Sequence, residues 1–243
     1  MHVFISADIE GTCGITDWSE TERSTPQDYE PFQKQMTREV KAACKGALDA
    51  GADGILLKDA HDSARNIHVA DLPEEVRILR GWTGDLLSMM SGLDTDEFGA
   101  VLFTGYHAWA ACPGNPLSHT MNLRNEYVRL NGVLASEFLI NTYTAGYYGV
   151  PVSFLSGDEA LCAFARELIP EMVTVPVNKG VGGGVLSIHP DLAVERIRAG
   201  ARAAVEKAHK CKVPMPDHFD SEIRFREHKT AYSKSFYPGA ALE

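Results

Sequence analysis

The chain has 243 residues and a formal net charge of -10, with 44% hydrophobic and 23% charged residues. This length and composition allow a full buried core and exclude disordered, collagen-like and low-complexity proteins. The acidic balance disfavours binding to nucleic acid or to an anionic membrane, because both need clustered positive charge.

The first elements along the chain predict a βα unit. HVFISADI (2–9) is predicted to be a buried strand, which Gly11 and Thr12 interrupt. Segment 27–50 is predicted to be a helix that Gly51 can end. Its apolar residues recur every three or four positions, at Tyr29, Phe32, Met36, Val40, Cys44 and Leu48.

Two more strands are predicted next, GILLKDAH (54–61) and GAVLFTGYHA (99–108). The polar region between them is expected to be helical, with boundaries at Pro73 and Gly81. Beyond residue 130 the alternation continues. Helices are predicted at 131–145, from a cap at Ser156 or Asp158 to Leu168, and at 190–210. Strands are predicted at 150–155 and 173–177, and VGGGV (181–185) is predicted to be a flexible connector.

Short apolar strands that alternate with longer helices predict an α/β fold, with a mainly parallel sheet flanked by helices. The texture changes at residue 213, where the turn-rich PMPDHFD precedes EIRFREH, which alternates like an exposed strand. We therefore divide the chain into an α/β metal-binding catalytic domain at 1–212 and the start of a smaller carboxyl-terminal lobe at 213–243.

The amino terminus and the cysteines indicate a cytoplasmic protein. MHVFISADIEG lacks the basic and apolar regions of a signal peptide, and no segment reaches the roughly 18 apolar residues of a membrane span. The five cysteines are widely spaced and form no C-x-x-C pair. This pattern predicts neither a disulfide framework nor a thiolate zinc site, and it suits a reducing compartment.

Asp8 and Glu10 are the strongest candidates for chemistry. They come at the end of the first predicted strand, where side chains two residues apart share a face. Two adjacent carboxylates repel each other and raise each other's pKa unless a cation lies between them. This pair therefore predicts a metal site.

Histidines stand in the same place on the next two strands. His61 follows GILLKDA and His107 follows VLFTGY. Because the carboxyl ends of parallel strands line one crevice, these side chains are expected to converge with the carboxylates. Carboxylates and imidazoles suit zinc or manganese, and Asp59 or Asp62 is expected to orient His61.

Each of these features also has a structural explanation. An isolated D-x-E is commonly a turn or cap, and an isolated strand-end histidine is commonly solvated. Cys13 could be a nucleophile, but no histidine is fixed beside it, and a small buried thiol is the simpler interpretation. Gly182–Gly184 lacks the Lys and Ser or Thr of a P-loop. The pattern alone leaves both interpretations of the metal site open.

Five motifs in register resemble the zinc-dependent D-aminopeptidases of peptidase family M55, the family of the dipeptide-permease operon enzyme of bacilli. The resemblance extends over essentially the whole chain, and five motifs together are far more specific than any one. They are SADIEG at 6–11, DAH at 59–61, GYHA at 105–108, SHTM at 118–121, and N-G-x-x-x-S-E at 131–137.

The resemblance implies two zinc ions per chain, and it places the following residues at the family's ligand positions: Asp8, Glu10, His61, His107 and Glu137. It places His119 at the non-ligand active-site histidine, with a role in proton transfer or in stabilising the tetrahedral intermediate. It also implies short substrate peptides with amino-terminal D-residues such as D-Ala, cleaved by metal-activated water, and a ring-like homodecamer. The family pattern continues beyond FYPGAALE with another strand and helix, so the carboxyl-terminal lobe is expected to be truncated.

Two other functions remain open at this stage. A dinuclear site could belong to an amidase or a phosphoesterase, although only Lys58 and Arg65 supply positive charge near His61. An inert metal-binding scaffold is a third possibility. Retention of His119 beside all the ligand positions argues against the scaffold.

Overall fold

A seven-stranded sheet forms the centre of the computed structural model, which describes residues 1–243. A smaller sheet holds three further strands. In chain order the ten strands are β1 (His2–Ala7), β2 (Gly54–Asp59), β3 (Val76–Leu79), β4 (Phe98–Tyr106), β5 (Asn125–Leu130), β6 (Val133–Leu134), β7 (Val152–Asp158), β8 (Val173–Val181), β9 (Gly184–Ser187) and β10 (Ser221–Phe225). The α-helices are α1 (Pro26–Asp49), α2 (Glu137–Tyr147), α3 (Glu159–Leu168), α4 (Pro190–Glu206) and α5 (His228–Lys234).

The strand order of the large sheet is β3-β2-β1-β4-β7-β8-β9. All neighbours pair in parallel except β8 and β9, which form an antiparallel pair at one edge. The chain proceeds outward from β1 to β3 and then returns to place β4 on the other side of β1. The order therefore reverses between β1 and β4, which is where open α/β sheets bind ligands.

Each face of the sheet carries its own core. Alternate residues of a strand point to opposite faces, so Val3 and Ile5 of β1 pack beneath α1 and α4, whereas Phe4 packs beneath α2 and α3. Both faces are thus covered by helices, and the predicted α/β class with a mainly parallel sheet is confirmed.

Helices α1, α3 and α4 lie close to their predicted positions. α1 begins at Pro26, a residue suited to a first helical turn, and ends just before Gly51, whose φ of 87° closes it. Asp158 caps α3 by accepting a hydrogen bond from the Leu161 N–H, so the cap is Asp158 and not Ser156. α4 ends at Glu206, and the predicted last turn to residue 210 is a separate 3-10 turn, Ala208–Lys210.

The helix predicted at 131–145 begins six residues too early. Asn131 and Gly132 have φ values of 50° and 79° and form the tight turn between β5 and β6. An Asn-Gly pair with two positive φ values favours a hairpin over a helix. The helix begins instead at Glu137, where the Ser136 hydroxyl accepts from the Leu139 N–H.

Two other local predictions were wrong. The region between β2 and β4 contains strand β3 and short 3-10 turns, with no α-helix. The VGGGV segment is the turn of the β8–β9 hairpin, where Gly182 has a φ of 59°. Gly182 therefore supplies the positive φ of a tight hairpin turn, and the segment does not form the predicted flexible connector.

A second, antiparallel sheet has the order β10-β5-β6. The exposed strand predicted in EIRFREH is β10, which pairs with β5 from the middle of the chain, so residues beyond 213 add to a sheet begun before α2. This small sheet, with α5, accounts for the smaller lobe of the fold class, and the domain boundary at 212 stays a prediction. No helix combines the length and the apolar character needed to cross a bilayer.

Candidate metal centre

Three neighbouring strand ends bring the predicted metal ligands together. β1 ends at Ala7, earlier than predicted, because the Thr12 N–H donates to the Ile9 carbonyl and forms a turn. Asp8 lies just before this turn and Glu10 lies within it, beside the residues that follow β2 and β4. The carboxylates therefore converge through a turn at the point where the strand order reverses, not along a continuous strand.

Two glycines allow this close approach. A Cβ at Gly11 would lie 1.9 Å from the Tyr106 carbonyl oxygen, and one at Gly157 would lie 2.0 Å from the same atom. No side chain fits at these distances, so the turn after β1 and the end of β7 pack against β4 only because both residues are glycine.

The first cluster contains Asp8, Glu10 and His61, all buried. His61 Nδ1 is 3.3 Å from Asp8 Oδ1 and 3.2 Å from Glu10 Oε2. Two ligand atoms bound tetrahedrally at about 2.1 Å from one zinc ion lie roughly 3.4 Å apart. These three side chains therefore have the mutual spacing of ligands to a single ion.

The second cluster contains Asp8, His107 and Glu137. His107 Nε2 is 3.3 Å from Glu137 Oε2 and 3.8 Å from Asp8 Oδ2. Asp8 therefore belongs to both clusters, with Oδ1 nearest the first and Oδ2 nearest the second. A carboxylate in this position can bridge two ions.

His119 lies beside the second cluster. Its ring stacks on His107 with centroids 4.4 Å apart, and its Nε2 is 3.5 Å from Glu137 Oε1. The spacing of Glu10, His107 and His119 would also permit an ion to be shared by these three. The structure thus brings together all six residues predicted from the sequence, while the division between ligands and His119 stays a prediction.

Backbone carbonyls fix the ring orientation of all three histidines. His61 Nε2 lies 3.0 Å from the Thr21 oxygen, His107 Nδ1 2.9 Å from the Ala108 oxygen, and His119 Nδ1 3.0 Å from the Leu117 oxygen. A carbonyl can only accept, so each of these nitrogens carries the proton and the opposite nitrogen is left to face the carboxylates.

The prediction that Asp59 or Asp62 orients His61 was wrong. Asp59 instead accepts hydrogen bonds from the backbone of Asn66 and Ile67. The Asn66 amide then donates to the His61 carbonyl, so Asp59 stabilises the loop and not the ring. The hydrogen-bond partner of the His61 ring is the Thr21 carbonyl, and not the carboxylate of Asp62.

Burial and mutual proximity shift the pKa values of the cluster strongly. Burial, reinforced by the negative charge of Glu10, raises the pKa of Asp8 well above its usual range. Burial disfavours protonation of His107, but the Glu137 carboxylate outweighs it and raises the pKa of that histidine to about 10. For Glu10 the attraction of His61 outweighs burial and lowers the pKa. The histidines also lower the pKa of Glu137, so of the three carboxylates that compete for their positive charge Asp8 is the one left with a raised pKa.

The residues present fit a metal. Three carboxylates and two imidazoles are a donor set for zinc or manganese, and both ions accept shared carboxylates. Glu10 Oε2 and His107 Nε2 are buried without any hydrogen-bond partner. Unpaired buried polar atoms are costly, and coordination of a cation would satisfy both of them.

A cavity of about 270 Å³ opens onto these clusters. Of its fifteen lining residues five are carboxylates, and none is lysine or arginine. Its other walls include aromatic and apolar side chains, contributed by Trp18, Trp82, Met89, Met121 and Leu123. These wall residues were not predicted from the sequence, because scattered aromatic residues in loops carry no pattern of spacing.

Cys13 has the properties of a structural thiol. Burial raises its pKa to about 12, and its Sγ donates to the Ile188 carbonyl. Thiolate formation is therefore disfavoured, and Cys13 does not line the cavity. The structure supports the simpler of the two sequence interpretations.

Glu39 ties α1 to the turn that carries the site, and its charge state should affect stability. The fully buried carboxylate accepts from the Cys13 N–H and from the Gln35 amide, and burial raises its pKa to about 7. Since this exceeds the usual value of 4.5, the folded protein holds an extra proton between about pH 4.5 and 7. The contribution of Glu39 to stability is therefore fully present below that window and is lost as the pH rises through 7.

Replacing Glu39 with glutamine should therefore raise the unfolding free energy at pH 8 by about 1–3 kcal/mol, with little change at pH 4.5. Urea unfolding of the metal-free protein at the two pH values measures the difference. Glu30→Gln, at an exposed position of the same helix, is the control and should show no such dependence. An equal effect of Glu39→Gln at both pH values would contradict the prediction.

Comparison with known proteins agrees with this fold. The family model for the D-aminopeptidases, peptidase family M55, matches residues 1–243. A D-aminopeptidase of Bacillus subtilis (strain 168) is 31% identical over an alignment of 247 residues, which covers all of this chain and 88% of the relative. The solved structure of the Zn-dependent D-aminopeptidase DppA from Bacillus subtilis, a self-compartmentalizing protease, superposes with a TM-score of 0.91. It is 29% identical and covers 100% of this chain and 88% of its own.

Fold, donor set and family model together define the class of the protein as a metallopeptidase. Within that class, the chain belongs to the D-aminopeptidase family.

Proposed function

We propose that this chain is a dinuclear zinc aminopeptidase that releases amino-terminal D-residues such as D-Ala from short peptides. Asp8, Glu10 and His61 would hold one ion, and Asp8, His107 and Glu137 the other. The observation that carries the proposal is the position of Asp8, whose two oxygens each face a different cluster. The similar Bacillus subtilis enzyme is Zn-dependent, which favours zinc over manganese.

The protein residues have distinct tasks in this reaction. Bound zinc supplies Lewis-acid polarisation of the scissile carbonyl and lowers the pKa of water toward neutrality. Thr21, Ala108 and Leu117 keep the protons of the three histidines on their outward nitrogens. His119 Nε2, 3.5 Å from Glu137 Oε1, would first accept a proton from the attacking water. Once protonated, it would donate a hydrogen bond to the developing oxyanion and deliver that proton to the leaving amine.

The charge of the cavity favours an ammonium group over an anion in the substrate. Glu22 and Asp62 add carboxylates to the three at the clusters, and no lysine or arginine lines the cavity. With the ions bound to the three cluster carboxylates, Glu22 and Asp62 remain to attract a free amino terminus, and no basic side chain is present to bind a phosphate. Lys58, which could have served a phosphoesterase, directs its ammonium at the Asp59 and Gly81 carbonyls.

The proposal is tested by the rate of D-Ala release from D-Ala-D-Ala beside that of L-Ala from L-Ala-L-Ala, each with and without a strong chelator. We expect cleavage of the D-peptide alone, abolished by the chelator and restored by zinc, because the donor set holds no substitute for the ions. If protein that contains about two zinc ions per chain cleaves neither peptide, the substrate assignment must be abandoned while the metal site stands.

The same relationship supports a proposal about assembly. The similar Bacillus subtilis protease is described as self-compartmentalizing, and we propose a homodecamer for this chain. Exposed apolar side chains near the carboxyl terminus favour association, among them Phe219, Tyr232, Phe236 and Tyr237. Sedimentation velocity of the full chain would measure the state, and a monomer at micromolar concentration would reject it. The cytoplasmic location stays a prediction.

A further inference from the structure

Trp82 forms one wall of the cavity and is held from several directions. Its side chain is 46% exposed and lines the cavity beside His61. Its Nε1 donates to the Asp62 carbonyl at 2.6 Å, and the preceding Gly81 N–H donates to the Ala64 carbonyl at 2.8 Å. The indole is thus fixed to the loop that follows the first histidine of the site.

Lys58 supports the indole from below. It is fully buried on β2, and its Nζ donates to the Asp59 and Gly81 carbonyls, each at 2.8 Å. The same Nζ lies 4.4 Å from the centroid of the Trp82 ring. Two carbonyls and one aromatic face account for all three ammonium protons, with no carboxylate partner.

A buried ammonium without a carboxylate is costly, so its retention needs a reason. Its contacts are the carbonyl before Trp82 and the ring of Trp82 itself. A methionine of similar length would fill the volume without the cost of burying a charge. The contacts of Lys58 therefore serve to position the indole.

Trp18 and two apolar side chains complete the lining. Trp18 meets the ring of His119 edge-on with centroids 5.4 Å apart, and the Thr21 carbonyl three residues later orients His61. Met121 and Leu123 extend the apolar surface of the cavity. The cavity therefore combines carboxylates with apolar side chains, which together suit a peptide with a free amine and an apolar side chain.

We propose that Trp82 is a specificity-determining residue, that its exposed surface binds an apolar side chain of the peptide next to the scissile bond, and that Lys58 is its positioning residue. The assignment rests on the proposed peptidase function and adds a chemical preference to it. Trp82 touches substrate, whereas Lys58 acts only through Trp82.

The experiment compares kcat and KM for D-Ala-D-Ala, D-Leu-D-Ala and D-Ala-D-Leu in zinc-loaded protein. We expect Trp82→Ala to raise KM for one of the leucyl peptides about tenfold more than for D-Ala-D-Ala, with kcat nearly unchanged, because uniform binding is lost. Trp82→Phe should recover most of the loss. Trp109→Phe is the matched control, since Trp109 packs on Phe164 and does not line the cavity.

Lys58→Met should produce a smaller KM increase with the same peptide preference and with zinc content unchanged. In the double variant with Trp82→Ala the Lys58 substitution should add nothing, because its effect passes through the indole. Equal KM changes for all three peptides would overturn the role of Trp82. Multiplying effects in the double variant would overturn the role of Lys58.

Tryptophan fluorescence separates this inference from the peptidase proposal. Titration of zinc-loaded protein with the leucyl peptide, in a variant without turnover, should change the emission of the Trp109→Phe protein clearly more than that of Trp82→Phe, in which Trp18 is the one tryptophan left in the cavity lining. Retention of the full change in Trp82→Phe would overturn the assignment. Binding seen in this way without cleavage by the unmodified chain would reject the peptidase function while leaving the Trp82 contact in place.

Discussion

Replacement of Asp8 by asparagine is expected to remove both zinc ions and to lower turnover by at least about a thousandfold. Asp8 is the one residue whose carboxylate faces both clusters, with Oδ1 3.3 Å from His61 Nδ1 and Oδ2 3.8 Å from His107 Nε2. Asparagine preserves the shape but offers one weak oxygen ligand and no charge. Zinc content by atomic emission and the rate of D-Ala release measure the two effects.

Asp8→Asn should stabilise the metal-free protein and destabilise the zinc-loaded protein, each relative to the parent. Without metal, Asp8 is buried against Glu10 and Glu137, and this burial and repulsion raise its pKa. Asparagine relieves that cost by about 1–2 kcal/mol, so the metal-free variant should melt roughly 2–8 °C above the metal-free parent. With excess zinc the order should invert, because only the parent gains the binding free energy of the ions.

Single-cluster variants provide the control for Asp8. Glu10→Gln and Glu137→Gln each change a ligand of one cluster, so each is expected to retain about one zinc ion per chain. If Asp8→Asn also retains one ion, Asp8 does not bridge. Should the metal-free variant melt below the metal-free parent, the picture of three competing carboxylates would be wrong.

Much of this site was predictable because strand ends converge in a parallel sheet. Asp8, Glu10, His61 and His107 each follow one of three short apolar runs, and the strand order places those runs side by side. Neither the order nor the turn at Ile9 to Thr12 was needed for that inference. The prediction needed only that the strands run parallel, because their carboxyl ends then lie at one edge of the sheet.

Glu137 and the cavity walls show where sequence reasoning ends. A helical period suggested that residues 131–145 continued as one helix, but Asn131 and Gly132 favour a hairpin and move the helix start to Glu137. Only a first-turn position points this side chain at His107. Trp82 and Lys58 meet although they are 24 positions apart in the sequence, and no periodic pattern encodes such a contact.

His119 to alanine is expected to leave zinc content unchanged and to lower kcat by about a hundredfold to ten-thousandfold, the range of a general acid or base. The ring stacks on His107 at 4.4 Å and reaches Glu137, yet it is more exposed than either and lines the cavity. A residue placed beside the ligands, but not needed for their spacing, should affect the chemical step more than metal affinity.

The decisive comparison for His119 is between activity and metal, because Glu10, His107 and His119 also have the spacing of a ligand set. Turnover of D-Ala-D-Ala and zinc per chain should be measured on the same preparations. His209→Ala, at an exposed position away from the cavity, should match the parent in both. Loss of one zinc ion in His119→Ala would make His119 a ligand, whereas unchanged turnover with full zinc would remove it from the mechanism. Loss of kcat with both ions retained would identify His119 as the group that transfers the proton at the scissile bond, since no other uncoordinated imidazole lines the cavity.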